Sequence, residues 1–189
     1  MTPISLGIFA SANTTVGTSF ESIATVSVGS GGSSNVEFTS IPGTYTHLQI
    51  RAIGRTARSG NSGDTVAMRF NSDTGNNYAR HLLYGDGSAA GADAVTSTSS
   101  IVFSRFSAAT ATASIYGAGV VDILDYANTN KYKTLRSLGG VDLNGSGELY
   151  LASGVWMNTN AITSIQVISL TSSSFNQYSH FALYGIKSS

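Results

Sequence analysis

Three histidines and ten acidic residues are the main side chains with which this 189-residue chain could do acid–base or metal chemistry. The chain has no cysteine, which excludes disulfides, thiolate zinc sites and thiol nucleophiles. His47, His81 and His180 are far apart in the sequence, so a metal or catalytic site would need ligands from distant strands. The sequence favours histidines at the surface or at strand edges, and we predict neither a metal nor a cofactor.

Two loops rich in Asn, Asp and Gly superficially resemble calcium-binding loops. They run from Asn71 to Asn77 and from Asp142 to Glu148. Neither is a complete twelve-residue calcium loop, and the first lacks a glutamate at its end. Asn, Asp and Gly also collect in turns because they tolerate unusual backbone angles. Hairpin turns are therefore the favoured interpretation, and a cation site is the alternative.

Residues for covalent or glycosidic catalysis are equally sparse. Ser62, in Gly60-Asn-Ser-Gly-Asp64, lacks the Gly-x-Ser-x-Gly spacing of a hydrolase nucleophile. Asp122, Asp125 and Glu148 show no sign of the convergence across a cleft that glycoside cleavage requires. We predict that the chain is not an enzyme and has no catalytic residues.

Contact residues are easier to nominate. Arg51, Arg55 and Arg58 form the one local basic cluster, which is either a charged contact with a partner subunit or an anionic sugar, or a solvated loop. The tyrosines and Trp156 exceed what one thin core needs, so they either fill a sheet face or serve as a sugar-stacking platform or subunit contact. The predicted interface candidates are Arg51, Arg55, Arg58, Trp156, Tyr45 and Tyr78.

Strands must position these residues, because period-two alternation recurs along the chain and helical periodicity is almost absent. In the segment from Tyr45 to Ile53, apolar Leu48, Ile50 and Ala52 alternate with polar residues. Ten strands are predicted, at residues 23–28, 35–40, 45–53, 65–71, 100–106, 119–124, 133–138, 148–157, 161–170 and 179–186. Gly- and Asn-rich spacers, including 85–98, separate them, and Asn144-Gly145 is a strong hairpin signal.

Short strands without helical crossovers predict an all-β antiparallel fold, which is a sandwich, a jelly roll or a barrel. Of these we expect an antiparallel β-sandwich of jelly-roll type. We expect a single β-sandwich domain over residues 21–189, preceded by an N-terminal arm over residues 1–20 that could pack on a neighbour.

Composition limits the partners. The chain has 30 Ser, 20 Thr and 21 Gly, zero formal net charge and only 11% charged residues, whereas nucleic-acid binding needs a clustered excess of Lys and Arg. Its 41% hydrophobic residues suffice for a core. There is no run of 18 apolar residues and no convincing signal peptide, so we predict no membrane contact and synthesis in the cytoplasm.

Several segments together resemble a group of virion structural proteins of tailed bacteriophages. They are Phe38-Thr-Ser-Ile-Pro-Gly-Thr-Tyr-Thr-His-Leu-Gln-Ile50, Arg69-Phe-Asn-Ser-Asp-Thr-Gly-Asn-Asn-Tyr78, Asn130-Lys-Tyr-Lys133, Ser153-Gly-Val-Trp156, Ala161-Ile-Thr-Ser-Ile165 and Ser179-His-Phe-Ala-Leu-Tyr-Gly-Ile186. The resemblance spans most of the chain from Phe38 onward, and its motifs are structural.

The resemblance implies a β-sandwich subunit of a phage head or tail with no known chemistry. The expected function is a non-enzymatic capsid decoration or cement protein, made in the host cytoplasm and located in the virion. Its partners would be the major capsid protein or other virion subunits and further copies of itself, with a trimer expected where a capsid offers threefold positions. The alternative is a tail fibre or adhesin domain that binds a host-surface glycan.

Overall fold

The structure is a computed structural model that describes residues 19–187. Its strands are β1 Phe20–Ser27, β2 Asn35–Phe38, β3 His47–Gly54, β4 Gly63–Phe70, β5 Tyr78–Gly85, β6 Ala90–Thr98, β7 Ile101–Ser107, β8 Gly117–Leu124, β9 Lys133–Asp142, β10 Gly147–Trp156, β11 Ile165–Ser169 and β12 His180–Ile186. No helix in this range has the length and apolarity to cross a membrane.

The twelve strands form two antiparallel sheets that pack face to face. One sheet has eight strands in the order β1-β12-β3-β8-β9-β10-β5-β6, and the other has four in the order β2-β11-β4-β7. Every neighbouring pair is antiparallel. The predicted all-β antiparallel sandwich is confirmed, and the jelly-roll connectivity stays a prediction.

The core lies between the sheets and follows the predicted alternation. Leu48 and Ile50 of β3 are fully buried, as are Phe181 and Leu183 of the neighbouring β12. Aromatic rings fill one end, where the rings of Phe175 and Phe181 meet with centroids 5.1 Å apart. Burying each such side chain stabilises the fold by roughly 1.5–3 kcal/mol, so this layer holds the two sheets together.

Two strands were not predicted. β6 occupies most of the 85–98 segment that the sequence indicates as a spacer, and β5 precedes it. β6 is the edge strand of the large sheet, and every position in it is exposed or half-exposed, so its sequence shows no buried–exposed alternation. The predicted strand 161–170 is shorter than expected, since only Ile165–Ser169 pairs.

The predicted hairpin at Asn144-Gly145 is confirmed. It joins β9 to β10, and both residues have positive φ, 60° and 108°. Leu143 N donates to Ser146 O at 2.8 Å across this turn. The predicted N-terminal arm lies outside the described residues apart from Ser19 and Phe20, and Phe20 is the first residue of β1.

Candidate interaction surface

The outer face of the eight-stranded sheet, which points away from the core, carries leucines at positions where a solvated sheet normally has polar side chains. The registers pair Leu138 of β9 with Leu151 of β10, and Leu151 with Leu83 of β5. Leu149 lies two residues before Leu151 on the same face. These four side chains, the leucine stripe, are between 49% and 60% exposed. Contiguous apolar patches of a few hundred Å² mark interaction sites.

Smaller aliphatic residues extend the stripe sideways. Val120 of β8 is paired with Leu138, and Ala92 of β6 is paired with Leu83. An aliphatic row therefore crosses five strands, a width of about 19 Å at roughly 4.8 Å per strand. Ile53 of β3, also exposed, adds to the same face next to Ala118 of β8.

On β9 and β10, several inward side chains near the stripe are small, although the same strands also bury Leu135, Tyr150 and Trp156. Ser137 and Gly139 flank Leu138 on β9, and Ala152 and Gly154 follow the same phase on β10; all four are buried. They allow β7 of the small sheet to approach closely: a Cβ added at Gly154 would lie 2.5 Å from Ile101 Cγ2. The sheets thus approach closely beside the stripe, while the outward face of the same strands carries large apolar side chains that a one-sided sheet normally lacks.

A row of hydrogen-bonded polar side chains runs beside the stripe. Gln49 Nε2 donates to Asp122 Oδ1 at 2.9 Å, and Arg136 Nε lies 3.3 Å from Asp122 Oδ2. Arg51 Nε donates to Gln49 Oε1 at 3.0 Å. The single carboxylate is therefore shared by its neighbours on both sides, which holds these side chains in one arrangement.

Of the predicted interface candidates, Arg51 lies on this face and is exposed. Its guanidinium carbon lies 5.3 Å from the centroid of the Phe20 ring and 5.6 Å from that of Tyr184. The two rings stack with centroids 4.7 Å apart. Both distances are in the range of cation–π attraction, so Arg51, Phe20 and Tyr184 form a surface cluster, here called the Arg51 cluster.

Arg55 and Arg58 hold loops instead. Arg55 donates to main-chain carbonyls of the β7–β8 loop, including those of Thr112 and Ala111, both at 2.8 Å. Arg58 Nη1 donates to Gly63 O at 3.3 Å and lies 3.7 Å from a carboxylate oxygen of the buried Asp64. The three arginines of the predicted basic cluster therefore do not form one surface.

Trp156 and Tyr78 lie in the core rather than at the surface. Both are fully buried, and their rings stack with centroids 6.3 Å apart. The Tyr78 hydroxyl accepts from Phe70 N at 3.0 Å and donates to Asp73 O at 3.0 Å. Burial, with the nearby Asp73 charge adding to it, raises the pKa of Tyr78 to about 12. Neither ring is accessible on a single folded chain.

Tyr45 is half-buried near the start of β3. Its hydroxyl donates to Glu21 Oε2 at 3.1 Å, and Lys187 Nζ lies 5.5 Å from its ring centroid. Partial burial and then the Glu21 hydrogen bond raise the pKa of Tyr45. Tyr45 thus ties the first strand to the last strand at one end of the sheet.

The histidines and the Asn/Asp loops do not gather into a metal-ligand cluster within the described residues. His47 Nδ1 accepts from Asp125 N at 3.0 Å, which occupies one of its ring nitrogens. The Asp73 carboxylate accepts from Gly75 N within its own turn. No group of three or more His, Asp or Glu residues between 19 and 187 could hold a metal ion.

The leucine stripe was not predicted, although the sequence contains a signal for it. Leu82-Leu83 and Leu149-Tyr-Leu-Ala152 place apolar residues on both faces of their strands. When a strand of an antiparallel sheet is apolar on both sides, the side chains on its outer face are exposed to water unless another surface covers them. Only the register shows that these residues are neighbours.

The chain is therefore a two-layer antiparallel β-protein with an exposed apolar sheet face. No protein-family model, curated protein or solved structure matches it.

Proposed function

We propose that the chain is a non-enzymatic structural protein of a phage virion, a head decoration or cement protein that bridges shell subunits. The observation that carries this proposal is the exposed Arg51 cluster, in which a guanidinium lies over two stacked rings on the outer sheet face. The leucine stripe on the same face supports it, because a sheet that is apolar on its outer face as well as its inner face is suited to being covered in an assembly. The phage-like segments of the sequence supply the kind of assembly.

The Arg51 cluster is the proposed contact with the shell, whose main component is the major capsid protein. Arginine and aromatic residues are enriched in the centres of protein interfaces, and Arg51 is exposed above two stacked rings. A standard interface buries about 1,600 Å² in total. Each copy would raise the free energy of opening the joint it covers, and repetition over many joints would multiply a modest local gain.

The test is the copy number of the chain in purified particles of the phage that encodes it. Quantitative mass spectrometry is expected to find the chain in a fixed ratio to the major capsid protein. An Arg51→Ala chain is expected to load less onto particles, whereas Lys131→Ala, a change of an exposed lysine in a loop, loads normally. Absence from particles, or only a handful of copies each, overturns the cement function.

The tail-fibre or adhesin function is the second candidate, and the same cluster favours it. A partly exposed ring beside a guanidinium and the Gln49 amide is a combination that can bind a sugar. Burial of Trp156 removes the strongest stacking residue from that surface. A glycan array separates the candidates: the adhesin binds a glycan and loses it on Arg51→Ala, whereas the cement protein binds none.

A further inference from the structure

We infer that the leucine stripe is a contact between two copies of this chain, stripe against stripe around a twofold axis that passes near Leu151 at its centre. This inference concerns the chain's own association and does not depend on the virion function. It starts from four leucines, each about half exposed, that form one patch across three adjacent strands.

The strands that carry the stripe are built for a covered outer face. Inside, Gly139 and Gly154 leave no side chain between the sheets, and β7 occupies the space that a Cβ would need. These strands carry large apolar side chains on both faces, with Leu135, Tyr150 and Trp156 inward and the stripe outward. If the chain were alone in water, the exposed halves of the four leucines would stay hydrated and would contribute nothing to stability.

The occupant is a second copy because an apolar patch needs an apolar counterpart, and the stripe itself is the matching one. Within residues 19–187, the other large exposed hydrophobic side chains off the sheet faces lie singly in loops beyond strand ends: Tyr132, Met157, Leu170 and Tyr178. In a twofold dimer the contact is isologous, so the same surface of one copy meets that surface of the other.

Charge does not oppose this contact. Along the edge of the stripe, Asp122 is paired with Arg136 and hydrogen-bonded to Gln49, so the polar border carries both signs. The whole chain has zero formal net charge. Two such faces can approach without the repulsion that a single-sign surface would produce.

The size of the face is also sufficient. From β8 to β6 it is five strands wide, about 24 Å counted with its edges, and the stripe with one row on each side makes it three residues deep, about 21 Å. These roughly 500 Å² per copy give about 1,000 Å² in a face-to-face contact, which is the least that a specific interface buries. The aliphatic centre and the Arg136–Asp122 border correspond to the apolar core and polar rim of such interfaces.

The experiment introduces a charge of either sign at the centre of the stripe in the full chain. Leu151→Glu and Leu151→Lys are each expected to raise the dissociation constant of the oligomer at least about 100-fold, as loss of an interface hot spot does. Analytical ultracentrifugation measures the oligomer, and far-UV circular dichroism checks that each variant keeps its β fold. Leu170→Glu, which alters a comparably exposed leucine in a loop, is the matched control and should leave the oligomer intact.

Mixing the two variants decides whether stripe meets stripe. Glu and Lys brought together at the axis attract each other, so the mixture is expected to regain an oligomer that neither variant forms alone. A wild-type chain that sediments as a monomer overturns the inference, and so does a Leu151→Glu chain that associates like wild type. Dissociation by Leu170→Glu, or failure of the folded variants to associate when mixed, also overturns it.

Discussion

Trp156 donates its indole N–H to a carboxylate oxygen of Asp73 at 2.7 Å. This bond joins the end of β10 to the turn between β4 and β5, 83 residues away in the chain. It fixes the indole against Phe70, with ring centroids 5.6 Å apart, and so places the largest side chain in the core. The Asn71–Asn77 loop therefore has a structural role, because its carboxylate is committed to holding Trp156.

The free energy of unfolding is expected to fall in acid because the Asp73 carboxylate becomes protonated. Partial burial alone would raise the pKa of Asp73, but the hydrogen bonds from Trp156, Asn77 and Gly75 together outweigh it and hold the pKa below its ordinary value. In the unfolded chain the pKa of an aspartate carboxyl is about 3.9. The stabilisation is therefore present above that pH and is lost as pH falls through the lower pKa of the folded state.

Asp73→Asn should therefore lower the urea midpoint near neutral pH and make its decline in acid shallower than that of wild type. Urea titrations at a series of pH values between neutral and strongly acidic measure both effects. Thr74→Ala, in the same turn but without loss of a carboxylate, is the control and should keep the wild-type slope. Equal acid slopes for wild type and Asp73→Asn would show that Asp73 contributes nothing to acid sensitivity.

Ionisation of Tyr78 is expected to lower the free energy of unfolding in alkaline buffer. Its pKa is raised to about 12, chiefly by burial, whereas an unfolded tyrosine titrates near about 10. The stabilisation by the protonated Tyr78 hydroxyl is complete below the pKa of the unfolded state and is lost as pH rises toward the pKa of the folded state. Tyr78→Phe, which removes the hydroxyl bonded to Phe70 and Asp73, should lower stability by about 1 kcal/mol at neutral pH.

That difference between Tyr78→Phe and wild type should narrow as the buffer is made alkaline, since only the wild-type chain loses a bound proton at this site. Urea midpoints between neutral pH and about pH 11 follow the change. Tyr132→Phe, which removes a hydroxyl from an exposed loop, controls for the substitution itself. A difference that stays constant with pH would contradict the assignment.

The fold class was predictable because alternation with period two is local information. β3 and β9 alternate between buried and exposed residues almost without exception, and the Asn144-Gly145 turn depends only on the residues within it. β6 was not predictable in this way, since an edge strand of small residues exposed on both sides leaves no periodic signal.

The surface was less predictable than the fold because it depends on register. Trp156 could fill a core or form a contact surface, and the choice depended on Asp73, which is distant in the sequence. Leu83, Leu138 and Leu151 are separated by up to 68 residues and become neighbours only when β5, β9 and β10 pair. Sequence patterns report burial along a strand, but they do not report which strands lie side by side.

Lys133 is a buried lysine whose charge is satisfied by main-chain oxygens. Its Nζ donates to Lys131 O at 3.0 Å and Thr159 O at 2.9 Å, and also to Asn128 O. Burial, with the charge of Lys131 adding to it, lowers the pKa of Lys133. Lys133→Met should cost about 2 kcal/mol of unfolding free energy, because the carbonyls of two loops lose their donor.

Lys131→Met is the matched control for Lys133→Met. Lys131 is an exposed lysine paired with Asp125, and such surface pairs contribute at most about 1 kcal/mol. Urea unfolding gives both values, and amide hydrogen exchange should show faster exchange around residues 128–131 in Lys133→Met alone. Equal effects of the two substitutions would rule out a special role for the buried ammonium.

Leu138 and Gly139 are adjacent on β9, and substitutions at the two positions should destabilise the single chain by very different amounts. A Cβ at Gly139 would overlap Ser104 Oγ and lie 2.8 Å from Ala118 O, so Gly139→Ala should cost about 1–3 kcal/mol through overpacking. Leu138→Ser removes a half-exposed side chain from the outer face and should change the stability of the monomer by less than about 1 kcal/mol. Gly43→Ala, where a Cβ meets nothing within 4 Å, is the control.

These measurements belong at concentrations where the chain is monomeric, because association would add its own stabilisation to wild type and not to Leu138→Ser. The urea midpoint of Gly139→Ala is expected to lie well below that of Leu138→Ser. The reverse order would mean that Leu138 supports the fold of the single chain. In that case the outward leucines would stabilise the fold of the single chain. Their position on the outer face could then no longer be attributed to a contact with another copy.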